Sequence, residues 1–194
     1  SYYSFLRGEM GKTPEEELYR LPELQSELAA ARQEAQALEL GVASNRDVFF
    51  KVREALAGEE FILVGGPPCQ AYSLVGRARN AGEKSQIYNP DADHRNFLYR
   101  EYLRVIAKFQ PLVFVMENVK GMLSSTVESR LVFEMLMEDL SSLGTGQDHH
   151  YDLLAVRVED GKASLQEAVR PSDFIVRAEE FGVPQRRHRV IIVG

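Results

Sequence analysis

A single cysteine in 194 residues, Cys69, excludes any internal disulfide. No segment reads as a secretory leader or as an apolar run long enough to span a membrane, so the cytosol is the expected compartment. No internal repeat is present. The four histidines show no zinc-ligand spacing: His149 and His150 are adjacent in a polar stretch, while His94 and His188 sit beside arginines, and no metal is expected. A basic excess is also lacking, with 23 Lys and Arg against 29 Asp and Glu and a net charge of −6. Residues 1–60 hold 7 basic against 12 acidic residues and residues 61–194 hold 16 against 17, so most of the excess acid lies in the first part. A dominant phosphate-binding face is therefore missing. The first 60 residues also lack the order strand, glycine turn, helix with which nucleotide-binding α/β folds begin.

What is present starts with the context of that one thiol. The apolar run at residues 61–64 is followed by Gly65-Gly66-Pro67-Pro68-Cys69-Gln70. Free cysteines are commonly small buried hydrophobes. Two glycines and two prolines, however, make a restricted loop that permits close approach, which a packing residue does not need. A reactive group just past a strand end is where an open α/β sheet places its chemistry. Two further stretches share that character. The segment VFVMENVKG (residues 113–121) carries Glu117 and Asn118 to the end of an apolar strand. FGVPQRRHRVIIVG (residues 181–194) gathers three arginines around His188 before another, with Arg187 and Arg189 at alternate positions.

Periodicity orders the rest. TPEE (residues 13–16) reads as a capping box with proline at the first helical position. Leu24, Leu28, Ala31, Ala35 and Leu38 fall at helical spacing across residues 22–40, with Gly41 as a stop, and Val48, Val52 and Leu56 mark a third helix at residues 47–57. These helices are expected to pack on the sheet. Beyond residue 60 the expected order is strand (61–64), loop, helix (about 95–109), strand (113–117), helix (about 129–143), strand (151–158), then a helix or turn and a strand (189–193). Leu98, Tyr102, Val105 and Phe109 form one face of the first of these helices, and Leu131, Met135, Leu136 and Leu140 one face of the second. The alternation implies an α/β fold with a mostly parallel sheet. The expected division is a helical segment, 1–60, and a core, 61–194.

GGPPCQAYS, MENVKG and GVPQRRHRV, in that order, resemble three motifs of the cytosine-5 DNA methyltransferase family. NFLYREYLRVI (residues 96–106) resembles the helix between the first two, and YYSFLRGE near the start looks like bacterial members. The resemblance covers roughly residues 61–194 and implies a Rossmann-like, S-adenosylmethionine-dependent fold. It also implies a restriction-modification setting and an incomplete sheet, lacking the first strands and the target-recognition domain.

By that resemblance Cys69 is the nucleophile, adding as thiolate to carbon 6 of cytosine so that carbon 5 can attack a sulfonium methyl. A free thiol of pKa about 8.5 is helped toward thiolate by nearby arginine or backbone N–H groups. Glu117 would hold or share a proton at N3, Arg189 would bind O2, and Arg187 would brace Glu117 or the neighbouring backbone. The base is extruded from the stack. The polar segment after Cys69, residues 70–96, would close over it, with Gln70 and Ser73 near the sugar-phosphate backbone and Arg77 and Arg79 on the nucleic acid. Pro68 and Leu98 match positions lining the cofactor pocket. The implied partners are double-stranded DNA and the remaining N- and C-terminal parts of the same enzyme, with no membrane. A bare sheet edge would also allow pairing between copies. The resemblance thus predicts a central fragment, inactive alone and weak in binding S-adenosylmethionine. The alternatives are a tRNA cytosine-5 methyltransferase, a non-catalytic binding relative, and a thiol hydrolase pairing Cys69 with His188.

Overall fold

The computed structural model describes residues 2–9, 21–67, 98–127, 129–143 and 151–194. The chain forms two compact units, Ser1–Ala55 and Leu56–Gly194.

The first unit is helical. After α1 (Tyr2–Leu6), a 3₁₀ turn (Pro22–Leu24) leads into α2 (Gln25–Glu34). α2 ends well before the expected stop at Gly41. The Gln36 side-chain amide donates to the carbonyls of Arg32 and Gln33, and Ala35 turns extended, so the last carbonyls are satisfied without another turn. No residue of α2 is buried. α3 (Asn45–Leu56) starts two residues earlier than its apolar spacing predicts. Ser44 caps it: the Ser44 hydroxyl oxygen accepts the Asp47 N–H at 3.2 Å and donates to the Asp47 carboxylate at 2.7 Å. Val48 is buried on the predicted face. The TPEE box lies outside the described residues.

The second unit is α/β. Its strands are β1 (Ile62–Gly65), β2 (Val113–Val119), β3 (Thr126–Val127), β4 (Arg130–Leu131), β5 (Leu154–Glu159), β6 (Lys162–Glu167), β7 (Ile175–Arg177) and β8 (His188–Val193). The main sheet has the order β1-β2-β8-β5-β6, with β7 also on β8, and β3 pairs β4 in a small ribbon. Only β1 and β2 pair in parallel; β2–β8, β5–β8, β5–β6 and β7–β8 are all antiparallel. The expected mostly parallel sheet is thus corrected. β8 is inserted between β2 and β5 against their direction, so β2 and β5, which run the same way, do not pair. The β5–β6 hairpin, which periodicity did not predict, turns on Asp160 (φ 51°) and Gly161 (φ 71°). This is the two-residue loop with positive φ that suits strand twist.

Helices α4 (Tyr99–Phe109) and α5 (Val132–Ser142) cover one face of the sheet. Strand alternation puts Phe114, Met116 and Asn118 of β2 and Val190 and Ile192 of β8 on that face, all buried. They meet Tyr99, Tyr102, Leu103 and Ile106 of α4 and Val132, Phe133, Leu136 and Leu140 of α5. The buried stripe of α4 is broader than predicted, while on α5 Leu136 and Leu140 are buried as predicted and Val132 and Phe133 take the places expected of the half-buried Leu131 and Met135. The Tyr102 hydroxyl lies 3.1 Å from the Leu63 carbonyl and 3.0 Å from that of Val115, pinning α4 across β1 and β2. Burial pushes its phenol well above the ordinary range. A Cβ at Gly65 would overlap the same ring, which explains the first glycine of the pair after the apolar run. Among the described residues no helix is long and apolar enough to cross a membrane.

Candidate active site

The face of the sheet opposite α4 and α5 carries the candidate chemistry. Val113, Val115 and Glu117 alternate with the buried residues of β2, and Arg189 and Ile191 do so on β8. The register sets Glu117 against Ile191 and Val119 against Arg189, so Glu117 and Arg189 are diagonal neighbours on one face. Their side chains meet, with Arg189 Nε 2.8 Å from Glu117 Oε1. The Arg189 Nη1 group donates to the His188 carbonyl at 2.8 Å. With the side chains 25% and 45% exposed, water screens the pair and its contribution to stability is below about 1 kcal/mol. Its consequence is orientation: one carboxylate oxygen is held by a guanidinium that is fixed at a second point.

The other carboxylate oxygen faces the loop after β1. A Cβ placed on Gly66 would stand 3.0 Å from Glu117 Oε2 and 3.5 Å from the Glu117 carbonyl oxygen, so the second glycine gives that carboxylate its room. One residue on, the buried Asn118 side chain donates from Nδ2 to the Pro67 carbonyl at 3.3 Å, and its Oδ1 accepts the Val119 N–H at 2.9 Å. β2 therefore does two jobs with adjacent residues. Glu117 points to the open face, and Asn118 ties down the root of the loop that continues into Pro68 and Cys69. The sequence drew attention to Asn118 without giving it a role; its place beside Glu117 at a strand end was the available signal.

Arg187 is the residue expected to brace Glu117 or the neighbouring backbone. Among the described residues the ionic partner of Glu117 is Arg189. Arg187 precedes β8 and is exposed, and its carbonyl accepts the Ala178 N–H at 2.9 Å. The alternation argument fails for it because β8 begins only at His188. Leu98 is half-buried at the head of α4. Pro68, Cys69, Gln70, Ser73, Arg77 and Arg79 lie outside the described residues. His188 does not stand as a ready partner for a thiol, since its Nε2 is 2.8 Å from Glu179 Oε1. Among the described residues no cluster of His, Cys, Asp or Glu could hold a metal ion.

Comparison with known proteins bears on this geometry. The family model described as C-5 cytosine-specific DNA methylase matches residues 51–194. The Type II methyltransferase M.Bpa9945I of Bacillus paralicheniformis is 36% identical over 133 residues, which is 69% of this chain and 24% of that protein. The DNA (cytosine-5-)-methyltransferase M.ApeKI of Aeropyrum pernix is 32% identical over 139 residues, or 69% of this chain and 26% of that one. The Type II methyltransferase M.AquIA of Picosynechococcus is 33% identical over 135 residues, or 69% of this chain and 42% of that one. The chain thus spans about a quarter of the length of the first two relatives and under half that of the third.

Proposed function

The chain belongs to the C-5 cytosine-specific DNA methylase family, and on that premise we propose that it carries the central chemistry of methyl transfer to carbon 5 of a flipped cytosine in DNA. The observation that supports the reading best is the Glu117–Arg189 pair, seated against Gly66 and one residue from the Asn118 tether to Pro67. It sets an acid and a cation beside the loop that carries the only thiol.

The steps follow from what each group can do. The Cys69 thiolate adds to carbon 6, breaking the 5,6 double bond, and the electron pair moves toward carbon 5 while negative charge builds at N3 and O2. Glu117 as the carboxylic acid donates its proton toward N3, and the guanidinium of Arg189, released from or shared with that carboxyl, supports O2. Carbon 5 takes the methyl group, a base removes the remaining proton there, and the thiolate leaves as the double bond returns and N3 gives its proton back to Glu117. The Asn118 contact holds the loop so that sulfur and ring approach on a fixed path.

The implied donor, S-adenosylmethionine, supplies a methyl group on a sulfonium sulfur. Of the two residues expected to line its pocket, Leu98 is described. Its half-buried apolar side chain suits one flank of such a ligand and offers nothing to a ribose or carboxylate. The described residues do not make up its site. This chain by itself is therefore expected to bind the donor more weakly than micromolar, as calorimetric titration would show; micromolar binding would refute the point. DNA and the remaining parts of the same enzyme are the partners this reading requires, and the edge of β1, which among the described residues pairs only with β2, would accept a strand from them.

The reading is tested in the full gene product with DNA containing 5-fluorocytosine, from which the last proton cannot be removed. A denaturant-stable protein–DNA adduct that vanishes in Cys69→Ala is expected. An adduct that survives this substitution, or one formed on tRNA and not on DNA, would sink it.

A further inference from the structure

β8 enters the sheet at its most crowded point, paired with β2 on one side and β7 on the other, and Arg189 is only its second residue. The segment before it is a tight reversal. A 3₁₀ turn (Ala178–Phe181) ends at Gly182, whose φ of 76° needs glycine. The chain then folds back so that Val183 N–H reaches the Ala178 carbonyl at 3.2 Å and Ala178 N–H reaches that of Arg187 at 2.9 Å. This reversal has no core of its own: Phe181 and Val183 are 43% and 45% exposed, and Arg186 and Arg187 face solvent. Hydrogen bonds must hold it.

One side-chain contact closes it. Glu179 Oε1 lies 2.8 Å from His188 Nε2. The Glu179 carboxyl is held below its ordinary range, first by a backbone hydrogen bond, then by His188, with Arg186 adding a smaller push. The other charged neighbours are already engaged or point onward: Glu180 pairs with Arg177 at 2.9 Å, and Arg189 with Glu117. A chain of contacts results. Glu179 holds the His188 ring, the His188 carbonyl receives Arg189 Nη1 at 2.8 Å, and Arg189 Nε holds Glu117 at 2.8 Å.

We propose that Glu179 and His188 form a positioning clasp that fixes the first residues of β8 and thereby aims Arg189, and through it Glu117, at the base. Neither residue of the clasp touches substrate. Strand termini open first, and Arg189 stands one residue from such a terminus. A guanidinium held at only one point would sweep across the site instead of presenting a defined edge. The inference rests on the function proposed above.

The test uses the full gene product. Glu179→Ala and His188→Ala should each slow adduct formation on 5-fluorocytosine DNA by roughly tenfold or more, as expected when a reacting geometry is displaced. The double variant should be no slower than either single one, DNA affinity should stay within about twofold, and Glu179→Gln, which still accepts a hydrogen bond from the imidazole, should restore the rate. Additive losses, an unchanged rate, or a rate that falls only in step with affinity would overturn the clasp. In the same protein, the ¹⁵N resonance of Arg189 Nε–H should shift in Glu179→Ala and return in Glu179→Gln. An unmoved resonance refutes the clasp even where DNA trapping fails, so the fate of the clasp is read apart from that of the reaction.

Discussion

On one side of β2, Phe114 and Met116 are sealed beneath α4 and α5; one residue along, Val115 and Glu117 look the other way and keep contact with solvent. The neighbouring strand sharpens the difference, because Ile62 and Val64 of β1 are 61% and 72% exposed while Leu63 between them packs on the core. Composition does not separate these faces, for both are aliphatic. Strands that read as continuous apolar runs belong to sheets covered on both sides. The exposed face therefore has the residues of an interior and the surroundings of a surface, and the charged pair Glu117–Arg189 stands at its end. The packed core lies on the covered face and the candidate site on the open one.

The largest expected effect that tests this division is loss of the core. Leu136 of α5 is fully buried among Ile106, Phe114 and their neighbours, so Leu136→Ala should cost roughly 2–5 kcal/mol in urea unfolding. A loss no greater than that of Val64→Ala on the open face would break the comparison.

Next in size is the glycine pair, whose members face opposite ways. Gly65→Ala drives a methyl group into the Tyr102 ring, which the Leu63 and Val115 carbonyls hold in place, so a cost of about 1–3 kcal/mol is expected. Gly66→Ala instead meets the tip of the Glu117 side chain, which can swing. It should leave unfolding nearly unchanged and slow the trapping of 5-fluorocytosine DNA. Equal effects of the two on stability would erase the distinction.

Acid should act on the covered side first. Asp173 is buried and receives Arg157 of β5 at 2.8 Å and the N–H groups of Val169 and Arg170 at 3.1 and 2.9 Å. The Arg157 contact, then the Arg170 N–H, bring its carboxyl down to about 2. In the unfolded chain it would titrate near 3.9. Its contribution is therefore complete above about pH 4 and is lost as the pH falls through 2. Asp173→Asn should lower stability at pH 7 and flatten the dependence between pH 4 and pH 2, followed by thermal melting across that range.

How far the sequence foretold this arrangement depends on the range of the forces involved. Local signals sufficed for β1, β2, α4, α5 and β8, where apolar periodicity and burial agree. They also put Glu117 and Arg189 at strand ends. What failed was set by distant partners: the insertion of β8 against its neighbours. The early end of α2 turned on one glutamine side chain. The β5–β6 hairpin is a different kind of miss, since Asp160-Gly161 directly after the alternating Val156 and Val158 was a readable turn signal. Asn118 was visible, but its tether joins segments far apart in the chain, and only the folded sheet reveals its partner.

The smallest expected effect isolates the open face. Ile62 and Val64 have little contact to lose in this chain, so Ile62→Ser or Val64→Thr should change its unfolding free energy by no more than about 0.5 kcal/mol. A polar residue there should at the same time reduce self-association, measured by light scattering, because an aliphatic face on a strand at the sheet edge among the described residues is the natural site of sticking. In the full gene product the same substitutions should become costly if further polypeptide lies over β1, since each would then bury a hydroxyl. Neutrality in the chain joined to destabilisation in the whole protein would mean that this face was built for an interior. Neutrality in both would mean that the aliphatic residues of β1 serve the strand alone, and the contrast between the two faces would then mark only which side the helices happen to cover.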